Sequence, residues 1–382
     1  MIINKVVVCP VCGDKTWLRI QDGGYLNAYP IRVNCMNCRA LLRGTYVMTD
    51  GIGPRGLTMF NAAVEECETN HHVSESKTLN VEDRVVLNAR FVAEISGELP
   101  CKHIAVYNNG LPISPFLDAS GQLESMEARI ARLQYFTHNM EDWNKTKRTA
   151  FQLLEDGSIE YIAKALKNRM GQYVYKCDHY LKSLHCLQEV VLEESKYLFL
   201  QPTQDDCIIN LINQLSHVNK DKLHQFIIAL GGISTLVAAY RKTIEVVSNF
   251  MDIYPSVLPA EAYMRFKNKQ GANSCIATCS FTDIKTFYQD AYESLLSLLY
   301  FPVGLDNLIQ RGDFQTFHRS YNSVMCRQGN RDMNWYLSLD NGTRINKLNI
   351  AEPYQKVIDI PANRKLRNGI GHNSIKYDGI TQ

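Results

Sequence analysis

Two CxxC pairs, Cys9-Pro-Val-Cys12 and Cys35-Met-Asn-Cys38, constrain the start of this chain more than any hydrophobic pattern does. Each pair puts two thiols on one tight turn, and the 22 residues between the pairs suffice to bring the turns together. Four thiolates complete a tetrahedral zinc site with no open position, so the expected ion is structural rather than catalytic. A segment this short has little hydrophobic core, and metal binding supplies folding energy it lacks. Between the pairs, WLRIQ (17–21) and YPIRVN (29–34) alternate as strands, with a turn expected around Gly23; LLRGTYVMT (41–49) reads as a third strand. This is the pattern of a zinc ribbon over residues 1–48. Arg19, Arg32, Arg39 and Arg43 are its candidates for touching a nucleic acid or a regulatory protein.

Composition narrows the class. The chain has 382 residues, of which 45% are hydrophobic and 21% charged, as in a soluble protein of two or three domains. No apolar run approaches the roughly 18 residues needed to cross a bilayer. The apolar patch at the N-terminus is too short for a signal peptide, which predicts a cytoplasmic protein without a membrane partner. In a reducing compartment the twelve cysteines are not explained by disulfides, and four have a better explanation in metal. A net charge of +2 excludes a chain that binds nucleic acid along its whole length. Its ends are mildly basic: 1–48 carries six Lys/Arg against two Asp, and 361–382 carries four against one.

Patterning predicts an α+β chain that is mainly α, in four parts. After the ribbon, 49–118 reads as a small β-rich region, with RVVLNARFVAEIS and KHIAVYN as strand-like runs; LPISPFLDASG (111–121) reads as a linker. Residues 119–204 form a helical middle region and 205–382 a helical C-terminal domain. QPTQDD (201–206) is expected to break the helices, and 254–282 is expected to be a long loop.

Near the C-terminus, Arg367-Asn368-Gly-Ile-Gly-His372 gives the pattern R-N-x-x-x-H. It resembles the motif of the HEPN superfamily, all-helical bundles common in bacterial antiviral defence and toxin systems, many of which are metal-independent endoribonucleases. The resemblance covers at most 205–382. It implies that Arg367, Asn368 and His372 are catalytic, that RNA is the substrate, and that two copies of the motif meet in a homodimer. The residue types suit the chemistry: a histidine titrates where an acid or base for RNA cleavage must, and a guanidinium can hold two phosphoryl oxygens. Looser Arg–His spacings recur at Arg132…His138 and Arg311…His318 without the following Asn. Some members of the superfamily are non-catalytic. A binding adaptor whose helices only dimerise therefore stays open as the alternative, as does a protein whose ribbon is its active part.

Two further clusters carry little weight. Cys177 and Cys186 flank His179 and His185 on an expected helix, where Cys177 and His185 lie about 11–12 Å apart along the axis, too far for one ion. Cys275 and Cys279 form a C-x3-C. The chain has no P-loop, no dinucleotide-binding GxGxxG and no serine nucleophile elbow.

Overall fold

The computed structural model describes residues 2–21, 28–35, 37–48, 56–66, 85–87, 91–95, 131, 144–166, 180–199, 202–265, 274–276, 279–317, 332–346, 364–372 and 374–375. The chain is α+β and mainly helical, with its strands concentrated at the N-terminus. It divides into two compact units, one of residues 1–145, 251–284 and 376–382, the other of 146–250 and 285–375.

The first unit is built on two antiparallel hairpins. Strands β1 (Ile2–Val8) and β2 (Lys15–Gln21) pair with Val7 opposite Thr16. Strands β3 (Ala28–Asn34) and β4 (Leu41–Val47) pair with Tyr29 opposite Tyr46, Ile31 opposite Gly44 and Val33 opposite Leu42. Each of those residues is buried, so alternation along the strands sends one face inward. Strand β5 (Gly56–Met59) extends the second hairpin and β6 (Ala63–Glu66) extends the first. The short turn between β5 and β6 therefore carries the chain from one sheet to the other. Strands β5 and β6 thus extend the two hairpins.

Strand β7 (Val85–Leu87) pairs in parallel with β9 (Ser274–Ile276), and β8 (Phe91–Ile95) adds to β2. The run RVVLNARFVAEIS thus supplies two short strands. The expected turn at Gly23, the KHIAVYN run and the 111–121 linker lie outside the described residues.

The rest of the described chain is mostly helical: residues 144–155 form a helix, followed by a 3-10 turn (Ile159–Tyr161) and α1 (Ile162–Leu166). Then come α2 (Tyr180–Phe199), α3 (Pro202–Ser216), α4 (Lys220–Ala229) and α5 (Ile233–Arg265). After β9 follow α6 (Phe281–Leu298), α7 (Tyr300–Arg311), α8 (Met333–Ser338), α9 (Asn341–Asn346) and α10 (Arg364–Gly371). Asn219 caps α4 by accepting from the amides of Asp221 and Lys222.

Two expectations are corrected here. Residues 202–206 do not form a non-helical break: α2 ends at Phe199 and α3 already starts at Pro202, where a proline costs nothing because a first-turn amide has no helical partner. Residues 254–282 are not one loop: α5 continues through Pro255 and Pro259 to Arg265, and 274–276 form β9. Met251 and Tyr254, both buried, pack this stretch, and tertiary packing outweighs the propensity penalty of the prolines.

The core of the second unit gathers Leu211, Phe226, Val303, Leu308, Phe314, Met333 and Tyr336. Gly304 on α7 lies against the Phe226 ring so closely that any Cβ there would overlap it. The end of α7 is stitched by polar bonds. Arg311 pairs with the buried Asp306 at 2.8 Å and donates to Asn307 and, at 2.8 Å, to the Thr316 carbonyl. Asn307 in turn donates to the Phe314 carbonyl at 2.9 Å. Among the described residues, no single helix is long and apolar enough to cross a membrane.

Candidate metal centre and C-terminal motif

The four N-terminal cysteines meet where the two hairpins turn. The Sγ atoms of Cys9 and Cys38 lie 3.5 Å apart, as do those of Cys12 and Cys35, and all four sulfurs fall within 4.8 Å of one another. Sulfurs held tetrahedrally at about 2.3 Å from one ion are spaced about 3.8 Å apart, so the site fits a metal ion. These distances are far beyond a disulfide bond, and all four thiols are free.

The turns share one backbone design. The Cys9 amide donates to the Asp14 carbonyl at 2.9 Å, and the Gly13 amide to the Cys9 carbonyl at 2.9 Å. In the second turn the Cys35 amide donates to Ala40 at 2.8 Å, and the Arg39 amide to Cys35 at 2.7 Å. The residue after each second cysteine takes a left-handed conformation, Gly13 at φ 75° and Arg39 at φ 62°. Glycine does so freely, whereas arginine pays a steric penalty. Each turn contributes one buried thiol, Cys9 or Cys35, and one exposed thiol, Cys12 or Cys38.

Without metal the thiols titrate unequally. Hydrogen bonding near Asp14 lowers Cys12 to about 7, and burial pushes Cys35 up to about 12. Cys38 is raised as well: its backbone hydrogen bond near Ala40 lowers it, but burial and its thiol neighbours outweigh that. The four cannot all ionise side by side unless a cation joins them, so loading the site displaces protons.

The second candidate lies on α10. Arg367 donates from Nε to Glu293 Oε1 at 2.7 Å, bonds the same oxygen through Nη2, and reaches Asn368 Oδ1 from Nη1 at 3.3 Å. Glu293 sits on α6, 74 residues away in sequence. His372 is exposed at the end of α10, its amide donating to the Asn368 carbonyl at 2.9 Å. A Cβ on Gly371 would lie 3.9 Å from Arg367 Nη1, so the guanidinium runs along the helix toward its end. Arg367, Asn368 and the start of the exit loop are thus neighbours. Gly369 has a packing reason: Ile375 folds back over it, and the Ser374 and Ile375 amides bond its carbonyl at 2.8 and 3.3 Å.

The remaining candidates separate. Arg32 donates from Nη1 to the Cys279 carbonyl at 2.8 Å. Arg39 and Arg43 are exposed, and of Arg19 only the backbone is described. Arg311 is committed to Asp306 and Asn307, while Arg132, His138 and His318 lie outside the described residues. His185 is exposed and pairs with Glu189 at 3.0 Å, Cys186 is buried, and Cys177 and His179 are not described. Cys279 is buried and its thiol pushed up to about 11 by that burial; the Cys275 side chain is not described. Among the described residues, the four N-terminal cysteines are the one group arranged to hold a metal ion. Sequence reasoning missed Glu293, for which no local signal exists.

No family model, curated protein or solved structure matches the chain.

Proposed function

We propose that this chain is a zinc-stapled, RNA-cutting protein whose catalytic groups are Arg367, Asn368 and His372. Zinc is the ion that four thiolates at tetrahedral spacing suit: it needs no open position and no redox partner. Its part is to pin the two hairpins together. The observation that carries the nuclease reading is the end of α10, where an exposed imidazole follows a guanidinium and an amide on the same short helix.

In this reading His372 exchanges the proton: it takes one from a ribose 2′-hydroxyl, or gives one to the leaving 5′-oxygen. The 2′-oxygen bonds to phosphorus as the P–O5′ bond breaks, which leaves a 2′,3′-cyclic phosphate and a 5′-hydroxyl. Arg367, oriented by Glu293, faces the charge that builds on the phosphoryl oxygens. A second copy of the chain completes the site with its own motif, giving a homodimer. Such an activity suits an effector in bacterial antiviral defence or a toxin.

One observation favours the adaptor reading instead: the Arg367 guanidinium already spends Nε and Nη2 on Glu293. There α10 is a docking element and the protein binds without cutting.

The test is incubation of cellular RNA with wild type and with Arg367→Ala/His372→Ala protein, without added magnesium, with and without EDTA. Cutting that survives the chelator, leaves cyclic phosphate ends and disappears in the variant supports the nuclease. Equal cutting by both proteins removes Arg367 and His372 from the chemistry, and no cutting by a dimeric wild type that carries its zinc replaces the nuclease with the adaptor.

A further inference from the structure

Strand register places three residues in a row across the outer face of the β3–β4–β5 sheet. Arg32 on β3 stands directly opposite Arg43 on β4. Arg43 stands opposite Phe60, because β4 and β5 pair with Gly44 opposite Met59 and the Phe60 amide continues the ladder to the Arg43 carbonyl at 2.7 Å. Cross-strand partners share a face and lie about 4.5–5.5 Å apart at Cα. The face is the outward one: Leu42 and Gly44 are buried on either side of Arg43, which is exposed. Phe60 is 70% exposed. The Asn61 side chain fixes the turn beneath it, accepting from the Arg43 amide at 2.7 Å and donating to the Leu41 carbonyl at 2.8 Å.

Two features of this row argue against an ordinary solvated surface. Like charges directly opposite in a sheet repel, and the sheet itself supplies no carboxylate between them: β3, β4 and β5 contain no Asp or Glu. The acids of the neighbouring strand β6 are already matched, Glu65 by Lys15 at 2.6 Å and Glu66 by Lys5. Among the described residues, the Arg32 guanidinium donates to the neutral Cys279 carbonyl rather than to a carboxylate. The second feature is the exposed aromatic ring itself, at the start of the turn after β5 and beside that charge.

We propose that this face binds single-stranded nucleic acid, with an unstacked base on the Phe60 ring and the flanking phosphates on Arg43 and Arg32. An exposed ring offers every base a stacking partner, and guanidiniums at strand spacing track the backbone beside it. A duplex hides its base faces, so it has nothing to place on Phe60. The proposal stands apart from the α10 site and does not need the chain to cut RNA.

The test measures binding of fluorescent oligo-uridine RNA, oligo-thymidine DNA and a duplex of equal length to the full zinc-loaded chain. The chain carries His372→Ala, so that no cleavage erodes the probes. The single strands bind and the duplex binds at least about tenfold more weakly. Phe60→Ala weakens single-strand binding about 5- to 150-fold, the range one base–ring stack is worth. Phe60→Trp restores it. Arg43→Gln lowers the slope of log affinity against log salt by about 0.7, the share of one phosphate on a single strand. Equal affinity for RNA and DNA supports reading by base face and phosphate alone; preference for RNA supports the same surface with an added 2′-hydroxyl contact. The proposal is overturned if the duplex binds as well as the single strands. It is equally overturned if Phe60→Ala and Arg43→Gln proteins, shown to retain one zinc per chain, bind like their parent.

Discussion

The two metal-binding turns differ at one position, and the difference has a calculable consequence. Gly13 and Arg39 occupy equivalent left-handed positions within equivalent hydrogen bonds. Holding a residue with a Cβ in that conformation costs about 1–2 kcal/mol. Replacing Arg39 by glycine removes the strain but adds about 0.4–1 kcal/mol of chain entropy in the unfolded state. The net gain is about 0.5–1 kcal/mol. The reciprocal change, Gly13→Ala, imposes strain in an open site, since no atom lies within 4 Å of the added Cβ. It costs about the same amount.

Because the site forms only in the folded hairpins, the folding difference is read as metal affinity. Arg39→Gly therefore binds zinc or cobalt about 2- to 5-fold more tightly, and Gly13→Ala about 2- to 5-fold more weakly, at 1.4 kcal/mol per tenfold. Competition with a chelator, or the thiolate-to-cobalt absorption band, measures both. Arg39 also brings a cation beside Cys38, and four thiolates around a divalent ion carry net negative charge. Arg39→Ala isolates that contribution, since it removes the guanidinium and keeps most of the strain. If Arg39→Gly binds metal more weakly than wild type, by as much as Arg39→Ala does, the conformational argument fails and the charge decides.

Four other outcomes follow from the geometry. Gly304→Ala drives a methyl into the Phe226 ring and destabilises the second unit by about 1–3 kcal/mol, seen as a lowered Tm while metal stoichiometry stays unchanged. With the Cys35 thiol up at about 12 and Cys38 raised, both are protonated at neutral pH, so loading expels at least these two protons. Apparent metal affinity then rises at least about a hundredfold per pH unit near neutrality, which a chelator competition across pH reads directly. In the metal-free fold the sign reverses: the stabilising effect of a raised thiol is whole below its unfolded value and is lost as pH climbs toward 12, as denaturant midpoints will show. Finally, Glu293→Gln removes the Arg367 ion pair. Both partners are about a third exposed, so stability falls by at most about 1 kcal/mol, whereas RNA cleavage falls well beyond that if Glu293 positions the guanidinium.

What the sequence disclosed and what it hid divide by the range of the interactions. The CxxC turns are local: four residues set each one, and their spacing foretold a cluster that the sulfurs now form. The hairpin strands were legible for the same reason, since alternation such as Tyr29, Ile31 and Val33 is visible within seven residues. The stretch 254–265 reads as loop because its polar and small residues give no local helical signal, while the buried Met251 and Tyr254 argue through partners elsewhere. The parallel pairing of β7 with β9 joins residues such as Val86 and Cys275, with no nearby signal on either strand. Both surfaces that now carry functional proposals have this long-range character. Glu293 reaches Arg367 across 74 residues, and Phe60 comes into line with Arg43 and Arg32 only because the chain returns as β5. A motif names the residue that does chemistry, but the residues that orient it or extend its surface are selected by register. The Arg32–Arg43–Phe60 row is a case in point: each member is ordinary in sequence, and only side by side does it concentrate charge and an exposed ring on a sheet whose three strands carry no acid.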